Sequence, residues 1–264
     1  MTNGLIGYSG FVGSTILKQA AFEARYRSTN IGEIEGRSFD TLVCAGAPAQ
    51  KWIANREPAE DLQKIVTLIG YLRTLTCKSF ILISTVDVFK SPLNVDEDTA
   101  VDEQGLHAYG LHRRLLERFV EAYFPQHLIV RLPGLVGPGL RKNVIFDFLN
   151  RNNLQAIDSR GLFQFYPMVN LWYDIQTALQ AGLRLIHLTA EPITVAEVSQ
   201  LGFGQPFDNS LGGAAASYAM QTRHAAIFGA NGLYQYSARD TLQAVRTYAQ
   251  SEPLTAQAGA EVKA

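Results

Sequence analysis

Gly4-Leu5-Ile6-Gly7-Tyr8-Ser9-Gly10-Phe11-Val12-Gly13-Ser14 is the stretch whose reading decides the fold. Gly4-Leu5-Ile6 reads as a short buried strand, and Ser14 to Ala20 reads as a helix. The glycines at 7, 10 and 13 therefore stand where a strand turns sharply into a helix, in the order G-x-x-G-x-x-G. Without Cβ, glycine tolerates the tight turn and lets a pyrophosphate approach the backbone. The helix behind it offers unpaired N–H groups and the positive end of its dipole to such an anion. Ser9 adds a hydroxyl donor. An ordinary glycine-rich turn is the plainer alternative, and the position between strand and helix favours the nucleotide reading.

Outward from this turn the chain alternates strand and helix. Ala24 to Thr29 is expected to be the second strand, and Ile31 to Ser38 a short link. Dinucleotide domains that select NAD often carry an acid at the end of the second strand. Here Ser28, Thr29 and Asn30 stand there instead, with Arg25 and Arg27 close by, which leans toward NADP; solvated arginines are the equal alternative. Phe39 to Ala47 is an apolar strand ending in Ala45-Gly46-Ala47, small residues that leave room across a sheet edge. Pro48 to Glu60 is expected to be a loop. Its Lys51 and Trp52 either are a solvated cation and a packing ring or face the crevice.

Asp61 to Thr76 has helical apolar spacing, Phe80 to Thr85 is a buried strand, and Ser91 to Gly105 is an acidic loop without an assigned role. His107 to Val120 is a helix that places Tyr109 and Arg113 on one face. Leu115, Phe119 and Tyr123 add a second apolar stripe to it, one that a subunit contact would cover. His127 to Leu132 is a strand, Asn143 to Leu149 a helix, Phe163 to Val169 a strand, and Leu171 to Ala181 a helix. Leu185 to Thr189 is expected to be the last sheet strand, Thr194 a helix cap, and Thr241 to Gln250 the final helix before a frayed tail from Ser251.

The chain has 264 residues, 47% of them hydrophobic, with a net charge of −1. Its pI of about 6.5 gives no general attraction to nucleic acid or to an anionic membrane. The two cysteines, Cys44 and Cys77, read as small buried hydrophobes. No apolar run is long enough to span a bilayer and no leader precedes the first strand, so a soluble, cytoplasmic protein is expected. His107 and His112 are not in metal-ligand spacing, and no metal is expected.

Five stretches, in order, carry a resemblance: Gly7-x-x-Gly10-x-x-Gly13, Ala45-Gly46-Ala47, Ile83-Ser84-Thr85-Val86-Asp87-Val88-Phe89, Tyr109-x-x-x-Arg113, and Arg131-Leu132-Pro133-Gly134-Leu135-Val136-Gly137-Pro138-Gly139. Together they resemble the extended short-chain dehydrogenase/reductase family, the NAD(P)-dependent sugar-nucleotide epimerases, dehydratases and reductases. The resemblance is strong from Gly4 to Gly139 and loose from Phe165 to Asp174. It implies an α/β fold: a Rossmann-type, doubly wound parallel sheet with a small C-terminal substrate lobe. Residues 1–133 would bind NAD(P), with the sheet completed by about 171–189, and residues 134–264 would form a reduced substrate-binding lobe.

The implied activity is that of an NAD(P)-dependent oxidoreductase or epimerase acting on a nucleotide sugar, with hydride transfer at a sugar carbon. A catalytically impaired dinucleotide-binding sensor or scaffold is the alternative. The resemblance makes Tyr109 the catalytic acid/base and gives Thr85 the same substrate oxygen, with Arg113 and Asp87 beside them. It assigns the cofactor to Gly7, Ser9, Gly10, Phe11, Val12, Gly13, Ser28, Asn30, Ala45, Gly46, Ala47, Ser84, Pro133 and Leu135. Lys51, Arg141 with its neighbour Lys142, Asn143 and Gln164 are the expected substrate contacts. A homodimer through the helices at Asp61–Thr76 and His107–Tyr123 is also implied.

The family's tyrosine is followed four residues on by lysine, whereas this chain has Arg113. That cation is expected to favour the phenolate and to bond ribose hydroxyls, unless it points to solvent beside Arg114. Val86 stands where dehydratases carry an acid, which disfavours 4,6-dehydration.

Overall fold

The computed structural model describes residues 2–254. Its core is a six-stranded sheet in the order β2-β1-β3-β4-β5-β9, with every neighbouring pair parallel. The strands are β1 (Asn3–Ile6), β2 (Ala24–Tyr26), β3 (Ser38–Cys44), β4 (Thr76–Thr85), β5 (His127–Leu132) and, after three short strands described below, β9 (Leu185–His187). Phe80 to Ser84 of β4 are all buried, as a parallel sheet covered on both faces requires. α3 (Pro58–Leu72) and α4 (Ala108–Tyr123) cover one face through Ile65, Leu68, Ile69, Leu72, Leu116 and Val120. α1 (Phe11–Gln19) and α6 (Leu171–Gln180) cover the other through Ile16, Leu171, Ile175 and Ala178.

From β1 the chain passes to β2 on one side and then returns across β1 to β3 on the other. This reversal opens a crevice at the carboxyl ends of β1 and β3, the place where such sheets bind ligands. A third apolar cluster lies outside the sheet and gathers Val136, Ile145, Phe148, Phe165, Val198, Leu242 and Val245. It joins α5 (Val144–Asn150), a single turn α7 (Val195–Glu197) and α8 (Ala238–Ser251). Two small ladders complete this lobe. β6 (Gly134–Val136) runs parallel to β8 (Phe165–Pro167), and β7 (Leu162–Phe163) antiparallel to β10 (Ile193–Thr194).

Several boundaries differ from the sequence expectation. β2 ends at Tyr26, because the Asn30 side chain closes a turn by accepting from the Arg27 N–H at 2.8 Å and donating to the Arg25 carbonyl at 3.1 Å. The expected loop from Pro48 to Glu60 instead contains α2 (Lys51–Arg56) and the start of α3. α2 escapes a periodicity reading because Ala54 is its only buried residue and Trp52 is 63% exposed. α3 stops at Leu72, and β4 starts at Thr76, where Thr76 pairs with Ser38. The single strand expected at Phe163–Val169 is two, because Gln164 interrupts it with side-chain bonds to three backbone groups. α8 begins at Ala238, where Ser237 and Asp240 form a reciprocal cap. The acidic loop is pinned by Glu97, which accepts from the His187 N–H, the Thr222 hydroxyl and the Arg223 N–H. Of the tail expected to fray, residues 255–264 lie outside the described residues.

Candidate active site

The glycine turn follows β1 directly. Gly7 has φ +84°, and a methyl group on it would overlap the Ala45 carbonyl, so the ends of β1 and β3 touch here. A methyl on Gly13 would overlap the Gly7 carbonyl, so α1 also presses on the turn. Gly10 is different: its nearest neighbour would be the Gly7 oxygen at 3.4 Å. The fold therefore leaves open the space in front of Gly10, at the start of α1, where no side chain caps the helix. Ser9 is exposed, and Phe11 and Val12 are half-buried against the core. Arg27 lies over the Tyr8 ring at 5.9 Å, with its Nε donating to Thr29 at 2.9 Å, while Arg25 turns back to the Phe22 carbonyl.

At the end of β4, Thr85 accepts from the Asp87 N–H at 3.1 Å. The one-turn segment Val86–Val88 packs so closely on α4 that a methyl on Gly110 would overlap the Asp87 carbonyl. That contact brings the first turn of α4 against the strand end. Thr85 lies near enough to the Tyr109 phenol to favour its ionised form, and the Tyr109 N–H is held by Asn55 Oδ1 at 2.9 Å. Asp87 takes the Lys51 ammonium at 2.6 Å and the Tyr218 hydroxyl at 3.3 Å, and Lys51 also donates to Tyr218 at 3.1 Å. Thr85, Asp87, Tyr109 and Lys51 thus form one cluster, which Tyr218 joins from the C-terminal lobe.

Arg113 is 3% exposed and lies over the Tyr109 ring, its Cζ 4.0 Å from the centroid. Its Nη1 and Nη2 grip both oxygens of Asp61 on α3, one of them at 2.9 Å, and Nη2 also donates to the Pro48 carbonyl. Neither expectation for this residue holds in full. It does not point to solvent, and its fork is committed to Asp61 and Pro48, which leaves only the buried Nε without a partner. Its charge does pull the Tyr109 phenol down, yet burial outweighs it and the phenol is held above its ordinary value. Burial pushes Asp61 up, but hydrogen bonds from Arg113 and from His112 at 2.7 Å win and hold the carboxyl below its usual range. Burial alone would lower the Lys51 ammonium; its pairing with Asp87 raises it instead.

Four expected site residues have side chains that bond within the chain. Ser84 donates its hydroxyl to Glu117 at 2.6 Å inside a buried network with Arg131, because side chains alternate along β4 and the one before Thr85 faces α4. Gln164 is 1% exposed, and its amide bonds the Ala190 and Met220 carbonyls and the Met220 N–H. Asn143 caps α5 with its oxygen and bonds the Leu135 carbonyl with its nitrogen. Asn30, as described, holds a turn, and Ser28 is exposed beside it. Ala45, Gly46 and Ala47 stand at the crevice after β3, Pro133 is buried after β5, and Leu135 is half-buried. Arg141 is exposed, whereas Lys142 reaches the Ala49 carbonyl. Lys142 is exposed as a residue, yet desolvation of its ammonium lowers it, with Asp87 opposing and Arg113 reinforcing the shift. Asp61 and Tyr218 had no signal in the sequence, since each acts on a partner far along the chain.

No family model matches the sequence, and no curated protein matches it either. Solved structures do match. A Bordetella bronchiseptica enzyme, WbmG, in complex with NAD and UDP, superposes with a TM-score of 0.70 at 16% identity over 96% of this chain and 97% of its own. RMD from Pseudomonas aeruginosa, complexed with NADPH, gives 0.67 at 17% identity over 95% and 99%. A UDP-glucose 4-epimerase from Thermotoga maritima, with UDP-glucose, gives 0.68 at 14% over 94% and 98%. The fold is therefore the Rossmann-like α/β fold of the extended short-chain dehydrogenase/reductase structures, over nearly the whole chain.

Proposed function

We propose that this protein binds NAD(P) across the ends of β1 and β3 and transfers hydride at a sugar carbon of a nucleotide sugar, with Tyr109 as acid/base. The observation that carries the reading is Tyr109, in the first turn of α4, brought beside Thr85 at the end of β4, in the fold shared with WbmG and RMD, which are complexed with NAD and NADPH. The residues fit a dinucleotide. Gly10 leaves an open space in front of uncapped helix N–H groups, where a Cβ would intrude, and Arg113 Nε is buried without an acceptor. Gly7, Gly10 and Gly13 would cradle the pyrophosphate, Ala45 to Ala47 would flank it, and Arg113 Nε would face a ribose hydroxyl.

When bound, the nicotinamide supplies or accepts the hydride. The chain's own residues do the rest. Thr85 and Tyr109 hold the substrate oxygen between two hydroxyls, and Tyr109 Oη exchanges the proton with it. Asn55 and the Arg113 stacking fix the tyrosine in place. Arg27, exposed beside Ser28 with no acid nearby, supports NADP over NAD. Arg141 and Lys142 are suited to the substrate's diphosphate. Leu62, Val66, Leu115 and Tyr123 are exposed apolar residues of α3 and α4, which supports a homodimer through these helices.

The test is NAD(P)H oxidation with a panel of keto-sugar nucleotides. Tyr109→Phe is expected to cut turnover by about 10²–10⁴-fold while NADPH still binds. Unchanged turnover in that variant removes Tyr109 as the acid/base group, and no turnover of any keto-sugar nucleotide by the wild type leaves a dinucleotide-binding protein without this chemistry.

A further inference from the structure

We propose that His107 is a substrate-binding residue, donating its Nε2–H to a second oxygen of the sugar, beside the one that Tyr109 and Thr85 hold; this rests on that reading of Tyr109. The cap of α4 carries the inference. His107 precedes the helix with an extended backbone, and its Nδ1 accepts from the Gly110 N–H at 3.0 Å. An imidazole nitrogen that accepts carries no proton, so the neutral ring has its hydrogen on Nε2. The bond to the backbone thus fixes the tautomer and leaves a donor.

The two ring nitrogens point in nearly opposite directions. With Nδ1 turned to the first turn of α4, Nε2–H is turned away from it, and it has no partner among the described residues. His107 is half-buried, and the described side-chain atoms buried without a partner are Arg113 Nε, Arg114 Nε and Gln235 Nε2, so His107 Nε2 is open to solvent. The ring is held against the strand end. A methyl on Gly110 would overlap the Asp87 carbonyl and come 3.1 Å from His107 Cε1. The ring centroid lies 6.4 Å from that of Tyr109. Hydrogen bonds reach about 3 Å, so donors on two rings at this separation can hold different oxygens of one sugar.

The polar groups around it are occupied. Asp87 takes Lys51 at 2.6 Å and Tyr218 at 3.3 Å, and Lys51 donates to both of them. His112 is bonded to Asp61, and Lys142 to the Ala49 carbonyl. Lys51 and Asp87 are the charged groups whose fields reach the imidazole, the first opposing a second proton and the second favouring it. Burial, and Lys51 after it, hold the ring below its ordinary value. A second proton would go on Nδ1 and displace the Gly110 N–H, so the capping ring is a neutral donor. A neutral N–H suits a hydroxyl or ketone oxygen of the sugar, whereas a diphosphate calls for cations.

Two variants separate the cap from the donor. His107→Ser keeps a hydroxyl able to cap α4 and lacks the reach to a sugar; His107→Gln keeps an amide N–H of similar reach and caps poorly. Binding is read by calorimetry with NADP⁺ present, using UDP-glucose, dTDP-glucose and GDP-mannose, each with its nucleoside diphosphate as control. His107→Ser should melt near the wild-type temperature. It should lose roughly three- to ten-fold in affinity for the nucleotide sugar that wild type binds most tightly, with the nucleoside diphosphate unchanged. His107→Gln should melt lower and bind that sugar nearly as tightly as wild type. Long-range ¹H–¹⁵N spectra of the full chain, with the His107 signals assigned by their loss in His107→Ser, should show the proton on Nε2. That signal should move with the nucleotide sugar and stay in place with the nucleoside diphosphate. A proton on Nδ1, wild-type affinity in His107→Ser, or an equal loss for the nucleoside diphosphate overturns the proposal and leaves Tyr109 as the acid/base group. No binding of any of the three sugars by wild type overturns it together with the nucleotide-sugar reading. Unchanged turnover in Tyr109→Phe removes the reading of Tyr109, and this proposal with it, whatever His107→Ser does.

Discussion

The turn after β1 exposes backbone, whereas the C-terminal lobe carries amide side chains, and the two differ in how many of their groups are free. At the turn, the space before Gly10 is open and no side chain caps α1. In the lobe, the amides of Gln164 and Asn143, both expected at the substrate, are occupied by backbone groups of their own chain. A glycine at a strand-to-helix junction has few structural uses, so its sequence pattern points to its role. A buried amide has many, and the partner that decides among them lies far along the chain.

The largest expected effect breaks the turn into its two jobs. Gly13→Val puts a side chain into the Gly7 carbonyl and should cost about 3 kcal/mol or more of stability, read as a fall in thermal midpoint. Gly10→Val meets no atom closer than 3.4 Å and has an extended backbone at φ −76°, so it should melt near the wild-type temperature. It should nevertheless lose NAD(P)H binding in calorimetry by roughly a factor of ten or more, since its methyls stand where the pyrophosphate approaches. Equal destabilisation of both variants, or tight binding by the second, would show that the turn serves the fold alone.

Next comes the Arg113–Asp61 pair. Arg113→Leu strands a buried carboxylate and should cost about 3–5 kcal/mol in chemical denaturation, with Asp61→Asn similar. The pH sign follows from the depressed Asp61 value. A carboxyl whose folded pKa lies below its unfolded one contributes stability that is present above the ordinary value of about 3.9 and is lost as pH falls through the folded value. Wild type should therefore lose stability relative to Asp61→Asn on acidification below about pH 4, and a constant difference down to pH 2 would contradict the pairing.

The N-terminal half of the fold was legible because its signals are local. Apolar runs, small residues at strand ends and the glycine spacing each declare themselves within a few positions. Tyr109 and Thr85 were legible in the same way, at the start of a helix and the end of a strand. Arg113 was visible but its use was not, because Asp61 is 52 positions away. Tyr218 is 131 positions from Asp87 and sits after a glycine- and alanine-rich run with no pattern at all. α2 was missed because a helix with one buried residue has no apolar stripe to read. The alternation that sends Thr85 to the strand end turns the Ser84 hydroxyl to Glu117, a one-residue distinction that a motif does not make.

Gln164→Ala sharpens the contrast at a smaller scale. It removes bonds to two carbonyls and an N–H inside the lobe, leaves those groups buried, and should cost about 1–3 kcal/mol. KM for whichever keto-sugar nucleotide is turned over should stay near wild type in the folded variant. A large rise in KM with unchanged stability would return Gln164 to the substrate.

The smallest effect concerns the cofactor's ribose. Arg27 is exposed, its guanidinium near the Tyr8 ring and its Nε on Thr29, and no acid stands among Ser28, Thr29 and Asn30. A 2′-phosphate placed there would meet one cation and no repulsion. Because that cation is in water, its attraction is limited to about 0.2–1 kcal/mol, typical of exposed ion pairs. Arg27→Ala should accordingly weaken NADPH by only about two- to five-fold and leave NADH unchanged. The difference should shrink as salt rises from low ionic strength to about 0.5 M, since exposed charges are screened over a few ångströms there. Equal loss for both cofactors would mean that Arg27 acts through its stacking on Tyr8 and supports the glycine turn instead. No loss for either would leave the missing acid as the only feature favouring NADP, and an Asn30→Asp variant that gains NADH at the expense of NADPH would then show that repulsion, not attraction, sets the choice at this strand end.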